Sequence, residues 1–355
     1  MSVKKVVVSN RNNFDLLRLV FAFIVFLVHA QVLSQRPELA ALSSWLSAEV
    51  AIESFFVVSG FLVMMSFERS GSLGEYVSKR VRRIYPAYFA VVVGAAIAGA
   101  VLTRLPLSDY FFSAEWIRYL AANLVFMNFL APTLPGVFES NPMAAVNGAL
   151  WTLKIEVMFY ASVPIIALLC ARLGRTPVLV GLYLLSAVYH WSMELLAQQT
   201  GRELYLELAR QLPGQLTFFV AGVAAYYHLE SLKQRWWMLV PLAALLLVAP
   251  LPRFLELALS GAALGTLVVF LALGMRFLGN FGRYGDFSYG IYIIHFPVIQ
   301  TLVAIGVFDS NPYGALAVAT AIVLGGAFAS WHLVEKPFLK RSSHYVAAAR
   351  AASPT

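Results

Sequence analysis

The chain has 355 residues, of which 60% are hydrophobic and 12% charged, with a formal net charge of +8. Soluble domains carry roughly 25% charged residues, and a mean hydropathy of +0.75 excludes an ordinary soluble fold. The basic residues are spread between apolar runs, which argues against nucleic acid as a partner, and the single Cys170 excludes an internal disulfide or a cysteine-rich metal site.

The opening MSVKKVVVSNRNN precedes an apolar stretch of about 20 residues, longer than a cleaved leader's core, so it reads as a retained signal anchor. Apolar runs fall near 14–35, 47–67, 84–103, 147–171, 177–198, 213–229, 237–250, 255–275, 289–307 and 314–335. They predict an all-α, polytopic bundle of about ten transmembrane helices. The run at 237–250 is short and flanked or interrupted by proline. Residues 105–146 form the longest stretch between spans and read as an interfacial or re-entrant loop. With the N-terminus inside, eighteen Lys and Arg fall on inner segments and six on outer ones, which places both termini in the cytoplasm. Residues 1–340 then form a single transmembrane domain, followed by a disordered cytoplasmic tail over 341–355.

A charge at a helix centre costs roughly 2.5–3.5 kcal/mol on insertion scales, so each one kept in a span is a functional candidate. The first span, FDLLRLVFAFIVFLVHAQ, carries Asp15, Arg18 and His29. At about 100° per residue, Arg18 and His29 project from one face, separated by roughly 16 Å along the axis. They share a stripe without touching, and Asp15 stands one turn before Arg18, where it can pair with it. The plainer alternative is that Arg18 snorkels to the interface and His29 packs as a half-buried polar group.

Glu49 and Glu53 open the second span on one face and either border a candidate acceptor site or serve helix packing. KRVRRIYP, just before the third span, sets Arg80 and Arg83 one helical turn apart, and the guanidinium fork suits phosphates. The same cluster also satisfies positive-inside topology and binding to membrane lipid headgroups. In NGALWTLKIEVMFY, Thr152, Glu156 and Tyr160 form one polar stripe. A carboxylate beside an imidazole orients a general base, so Glu156 is the expected partner of His29, the alternative being a structural polar contact between helices. Near the end, Ser288, Tyr292 and His295 line one face of GDFSYGIYIIHFP, facing either a ligand or another helix. Glu335 in WHLVEKPF reads as part of an interface anchor.

Taken in order, FDLLRLVFAFIVFLVHA, FFVVSGFL, RVRRIYPAY, LWTLKIEVMFY, SYGIYIIHFP and VEKPF resemble the acyltransferase-3 family of integral-membrane O-acyltransferases. Arg18 and His29 match the family's basic residue, ten intervening positions and histidine. Arg80 and Arg83 match its arginine pair, and Trp151, Thr152 and Glu156 its tryptophan–threonine–glutamate segment. The resemblance implies transfer of an acyl group, most often acetyl from cytoplasmic acetyl-CoA, to a hydroxyl of a sugar or surface polysaccharide outside the bacterial inner membrane. It makes His29 and Glu156 catalytic and needs no metal. Arg18, Arg80, Arg83, Tyr292 and His295 go to the donor, and Trp151, Glu53 and Asn147 to the acceptor. Ending soon after VEKPFLKRSSHY, the chain looks like the stand-alone form, which leaves room for a separate extracytoplasmic partner. The competing class is a proton-coupled transporter or flippase with Arg18, His29 and Glu156 as a relay.

Overall fold

A computed structural model describes residues 11–339 of the protein. Among them stand ten long helices and no strand: α1 (Phe14–Ser34), α2 (Ala48–Glu68), α3 (Leu73–Leu102), α4 (Trp151–Leu173), α5 (Arg175–Thr200), α6 (Leu212–Tyr227), α7 (Leu229–Val248), α8 (Arg253–Leu273), α9 (Phe287–Ala304) and α10 (Pro312–Ala329). Each apolar run has become one helix. Eight of the ten are long and apolar enough to cross a membrane by length and composition. The other two are α6, with 16 residues, and α7, whose first turns carry Glu230, Lys233 and Arg235. The basic residues 79–83 lie well inside the 30-residue α3 rather than ahead of it. Lys4, Lys5, Lys340, Arg341, Arg350 and the expected tail at 341–355 lie outside the described residues.

Contacts divide the described chain into two compact units. The first comprises residues up to Leu17, Ile52–Tyr76 and Ile155–Asn280; the second comprises Arg18–Ala51, Val77–Lys154 and the residues from Phe281 onward. In the first, α5 packs on α6 and α8, and α7 on α8. Small residues let α2 and α6 meet backbone to backbone. A Cβ on Gly60 would lie 2.0 Å from the Phe219 carbonyl oxygen, and one on Gly222 would lie 2.0 Å from that of Val57. Between apolar helices such close approach supplies the van der Waals contact that water would otherwise drive. Phe159 stacks on Phe219 beside this crossing, 4.4 Å between ring centroids.

In the second unit α9 packs along α10, where a Cβ on Gly290 would come within 2.9 Å of the Ala327 Cα. The 105–146 segment is folded rather than loose. Its helix Ala114–Leu124 begins at Ser113, whose hydroxyl accepts from the Trp116 N–H. Tyr110 and Trp116 both donate to the Ala96 carbonyl of α3, at 2.7 and 3.1 Å. The far end of the segment is tied to α9: Gln300, with no exposed surface, donates to the carbonyls of Met143 and Ala145.

Candidate active site

Two polar centres occupy the second unit. The first joins α1 to α9. His29 Nδ1 lies 2.8 Å from His295 Nε2, and the ring planes are inclined by only 20° with centroids 5.1 Å apart. Stacked rings cannot approach below van der Waals contact, about 3.5 Å, so these meet edge to edge, as an imidazole–imidazole hydrogen bond requires. His295 is fully enclosed and His29 half-buried. Phe296 turns its ring edge-on to His29, and Phe26 does the same to His295. One turn back along α9, Tyr292 shares a 2.6 Å hydroxyl–hydroxyl bond with Thr152.

The second centre is ionic. Asp286 is the N-cap of α9, its Oδ1 accepting from the Ser288 amide at 3.1 Å. Its Oδ2 accepts from both Arg18 and Arg83. Arg83 spans to a second carboxylate, with Nη1 2.9 Å from Glu335 Oε2. Both carboxylates are nearly enclosed, at 3% and 1% side-chain exposure, so two guanidinium charges offset two carboxylate charges where water cannot. Backbone geometry delivers both acids. Gly285 has a φ of 134°, and any Cβ there would sit 2.1 Å from Trp331 Nε1, so glycine is required for the turn into α9. Glu335 ends a π-helical segment, Ser330–Glu335, that follows α10.

These centres revise several expectations. The atom beside His29 Nδ1 is another imidazole nitrogen, while a carboxylate, Glu156, was the expected partner of this ring. Glu156 lies in the first unit, where it accepts from Ser59 at 3.3 Å and from Tyr160. His295, expected at the donor, stands beside His29. Arg18 reaches Asp286, a partner the sequence did not single out, and Glu335 is a buried ligand of Arg83 rather than an interface anchor. Asn147, expected at the acceptor, makes two bonds within the fold. Its Oδ1 caps the turn at Gly148–Leu150, and its Nδ2 donates to the Ile293 carbonyl at 2.8 Å. Arg80 stands on α3, one turn before Arg83, and Trp151 opens α4; both are half-buried, as is Glu53 on α2 in the first unit. Among the described residues, no three His, Cys, Asp or Glu side chains converge as a metal would need.

A family model described as an acyltransferase domain matches residues 11–334. An O-acetyl transferase of Shigella phage Sf6 is 28% identical over 340 residues, covering 94% of this chain and 97% of the relative. Nodulation protein 10 of Rhizobium leguminosarum bv. viciae is 29% identical and covers 96% of each chain. The exopolysaccharide production protein ExoZ of Rhizobium meliloti is 28% identical, over 82% of this chain and 89% of its own. No solved structure matches the chain.

Proposed function

The chain belongs to the acyltransferase-3 family, and we propose that it is an O-acetyltransferase of the bacterial inner membrane. In this reading it moves an acetyl group from cytoplasmic acetyl-CoA to a hydroxyl of a sugar or polysaccharide on the extracytoplasmic side. The name of the phage relative supports acetyl, and that of the exopolysaccharide relative supports a glycan acceptor.

The observation that carries the chemistry is the pairing of His29 with His295 inside two apolar helices. One nitrogen of His29 is engaged, and the other remains to act on a substrate. The acceptor hydroxyl gives its proton to His29 as its oxygen attacks the thioester carbonyl. The carbon–sulfur bond then breaks, the thiolate leaves and takes the proton back from His29, and the products are an O-acetyl ester and the free thiol. General-base assistance of this kind contributes about 10²–10⁴-fold.

We place the donor at the ionic centre's end of α9, with Arg80 addressing its phosphates. Arg18 and Arg83, whose guanidinium groups are bonded to buried carboxylates, fix the floor there rather than grasp the ligand. Tyr292, bonded to Thr152, lies on α9 between the ionic centre and His295 and would line the thioester's path. Trp151 remains a candidate for the acceptor.

The test is acetyl transfer by purified, reconstituted protein, with radiolabelled acetyl-CoA and bacterial glycan as acceptor. Label should enter the glycan with wild-type protein and be lost with His29→Ala. Unchanged labelling by His29→Ala would remove the catalytic assignment, and movement of glycan across the vesicle without labelling would favour a flippase. Arg80→Ala is expected to raise the donor KM with little change in kcat.

A further inference from the structure

We propose that His295 is a positioning residue: it fixes the tautomer of His29 so that Nε2, and not Nδ1, is the atom that takes the acceptor's proton. The inference rests on the acyl-transfer reading above and specifies which atom performs it.

The argument begins at a backbone carbonyl. A carbonyl oxygen can only accept, so the 3.1 Å approach of His295 Nδ1 to the Ile291 oxygen makes Nδ1 the protonated nitrogen of that ring. A neutral imidazole protonated at Nδ1 carries its lone pair on Nε2. That nitrogen is the one 2.8 Å from His29 Nδ1. His29 Nδ1 is therefore the donor, and the lone pair of His29 stands on Nε2. Two proton positions thus follow from one carbonyl, through a chain running Ile291 oxygen, His295, His29.

The surroundings hold this chain in place. His295 lies four residues beyond Ile291, so its bond closes within one turn of α9, and the ring has no exposed surface. Phe26, Tyr292 and Phe296 all present steeply inclined rings to it, which leaves no room to flip and exchange the two nitrogens. When His29 Nε2 takes the acceptor's proton, the new imidazolium still points Nδ1–H at a lone pair, as the histidine of a hydrolase triad points at its carboxylate. A neutral partner does this without placing another charge in an apolar span, where an unpaired carboxylate is costly. The proton then passes to the leaving thiolate from the same Nε2, and the Nδ1 bond is kept throughout.

Two amides of similar polarity separate the two ends of the ring. The oxygen of Gln at 295 reaches the place of Nε2 and can accept from His29, whereas Asn extends only to the place of Nδ1. In the reconstituted transfer assay we expect His295→Gln to keep kcat within about tenfold of wild type and His295→Asn to lose about a hundredfold or more. The donor KM should be similar for both. His295→Leu should resemble the Asn variant. Thermal melting in detergent and donor binding show whether each variant is folded, and the Gln–Asn comparison decides the matter even where Leu does not fold. Equal rates for folded Gln and Asn variants, or wild-type kcat in the Leu variant, would overturn the proposal. His29→Ala separates this from the parent reading: its full activity would sink the catalytic role of His29 itself, whereas inactivity of His29→Ala with equal Gln and Asn rates would sink only the role of His295.

Discussion

Asn147 donates its side-chain amide to the Ile293 carbonyl, the acceptor that Pro297, four residues later, cannot serve because it has no N–H. The first unit repeats the device: Pro164 lies inside α4, and the Tyr160 carbonyl four residues before it accepts from the Tyr76 hydroxyl at 2.9 Å. Two proline-containing apolar helices thus keep their freed carbonyls satisfied by a side chain from elsewhere in the fold, as a membrane interior demands.

Asn147→Leu should destabilise the protein by about 1–3 kcal/mol, the cost of leaving a buried carbonyl without a donor. Replacing Pro297 by Ala restores the helical N–H, so the Asn147 substitution should cost much less in a Pro297→Ala background. Thermal melting of the two single variants and the double variant measures that coupling. Additive losses would mean that the Asn147–Ile293 bond does not compensate for Pro297.

The ionic centre predicts a second kind of coupling. Removing the nearly enclosed Asp286 carboxylate with Asp286→Leu leaves two half-buried guanidinium groups facing a lost partner, a change worth about 3–5 kcal/mol in comparable sites. Either Arg83→Leu or Glu335→Leu alone should also be strongly destabilising. The double variant should be closer to wild type than the less stable single variant, because it removes both members of one pair. Melting temperatures in one detergent test this, and a double variant no better than the worse single one would show that each residue acts alone.

What could be read in advance divides along the same line. Helix positions were legible because apolar content and length fix them locally: ten runs gave ten helices, and only the short α6 and the charged start of α7 fell below spanning quality. That His29 needs a polar partner was legible because an imidazole in an apolar span has no local excuse. Its partner was not, since it lies 266 residues away and no periodicity links two separate helices. Asp286 was not singled out, although its place two residues before Ser288, at the start of a span, is an N-cap signal that could have drawn attention to it. Glu335 was hidden because the widened turn that carries it leaves no mark in the pattern of apolar residues.

The glycine crossing in the first unit should tolerate almost nothing. Substituting Ala at Gly60 or Gly222 sets a methyl group 2.0 Å from a carbonyl oxygen of the facing helix, and a backbone atom cannot rotate away. Overpacking usually costs about 1–3 kcal/mol, and these sites should lie at or beyond its upper end. Ala at Gly94 on α3, where a Cβ meets nothing within 4 Å, is the control and should be neutral. Expression and melting of the three variants check the ranking. A Gly60→Ala protein as stable as the Gly94 control would show that α2 and α6 separate readily.

Gln300 offers a test of the loop over 105–146. Its Nε2 donates to the Met143 and Ala145 carbonyls at 2.6 and 2.7 Å, and its Oε1 accepts from Asn141 at 2.9 Å, so every polar atom of the amide holds this segment. Gln300→Glu keeps the shape and replaces two donors by an acceptor facing two carbonyl oxygens. The buried mismatch should cost about 1–3 kcal/mol, and more while the carboxyl is charged. The loss should be local before it is global, because the segment is tied to α9 by these bonds while its other end is tied to α3 by Tyr110 and Trp116. Hydrogen exchange should therefore quicken at residues 141–147 and stay slow in Ala114–Leu124. If the acceptor binds beneath this segment, its KM should rise while the donor KM stays unchanged. Uniform acceleration of exchange across the protein would instead mean that Gln300 supports the whole unit and not this loop.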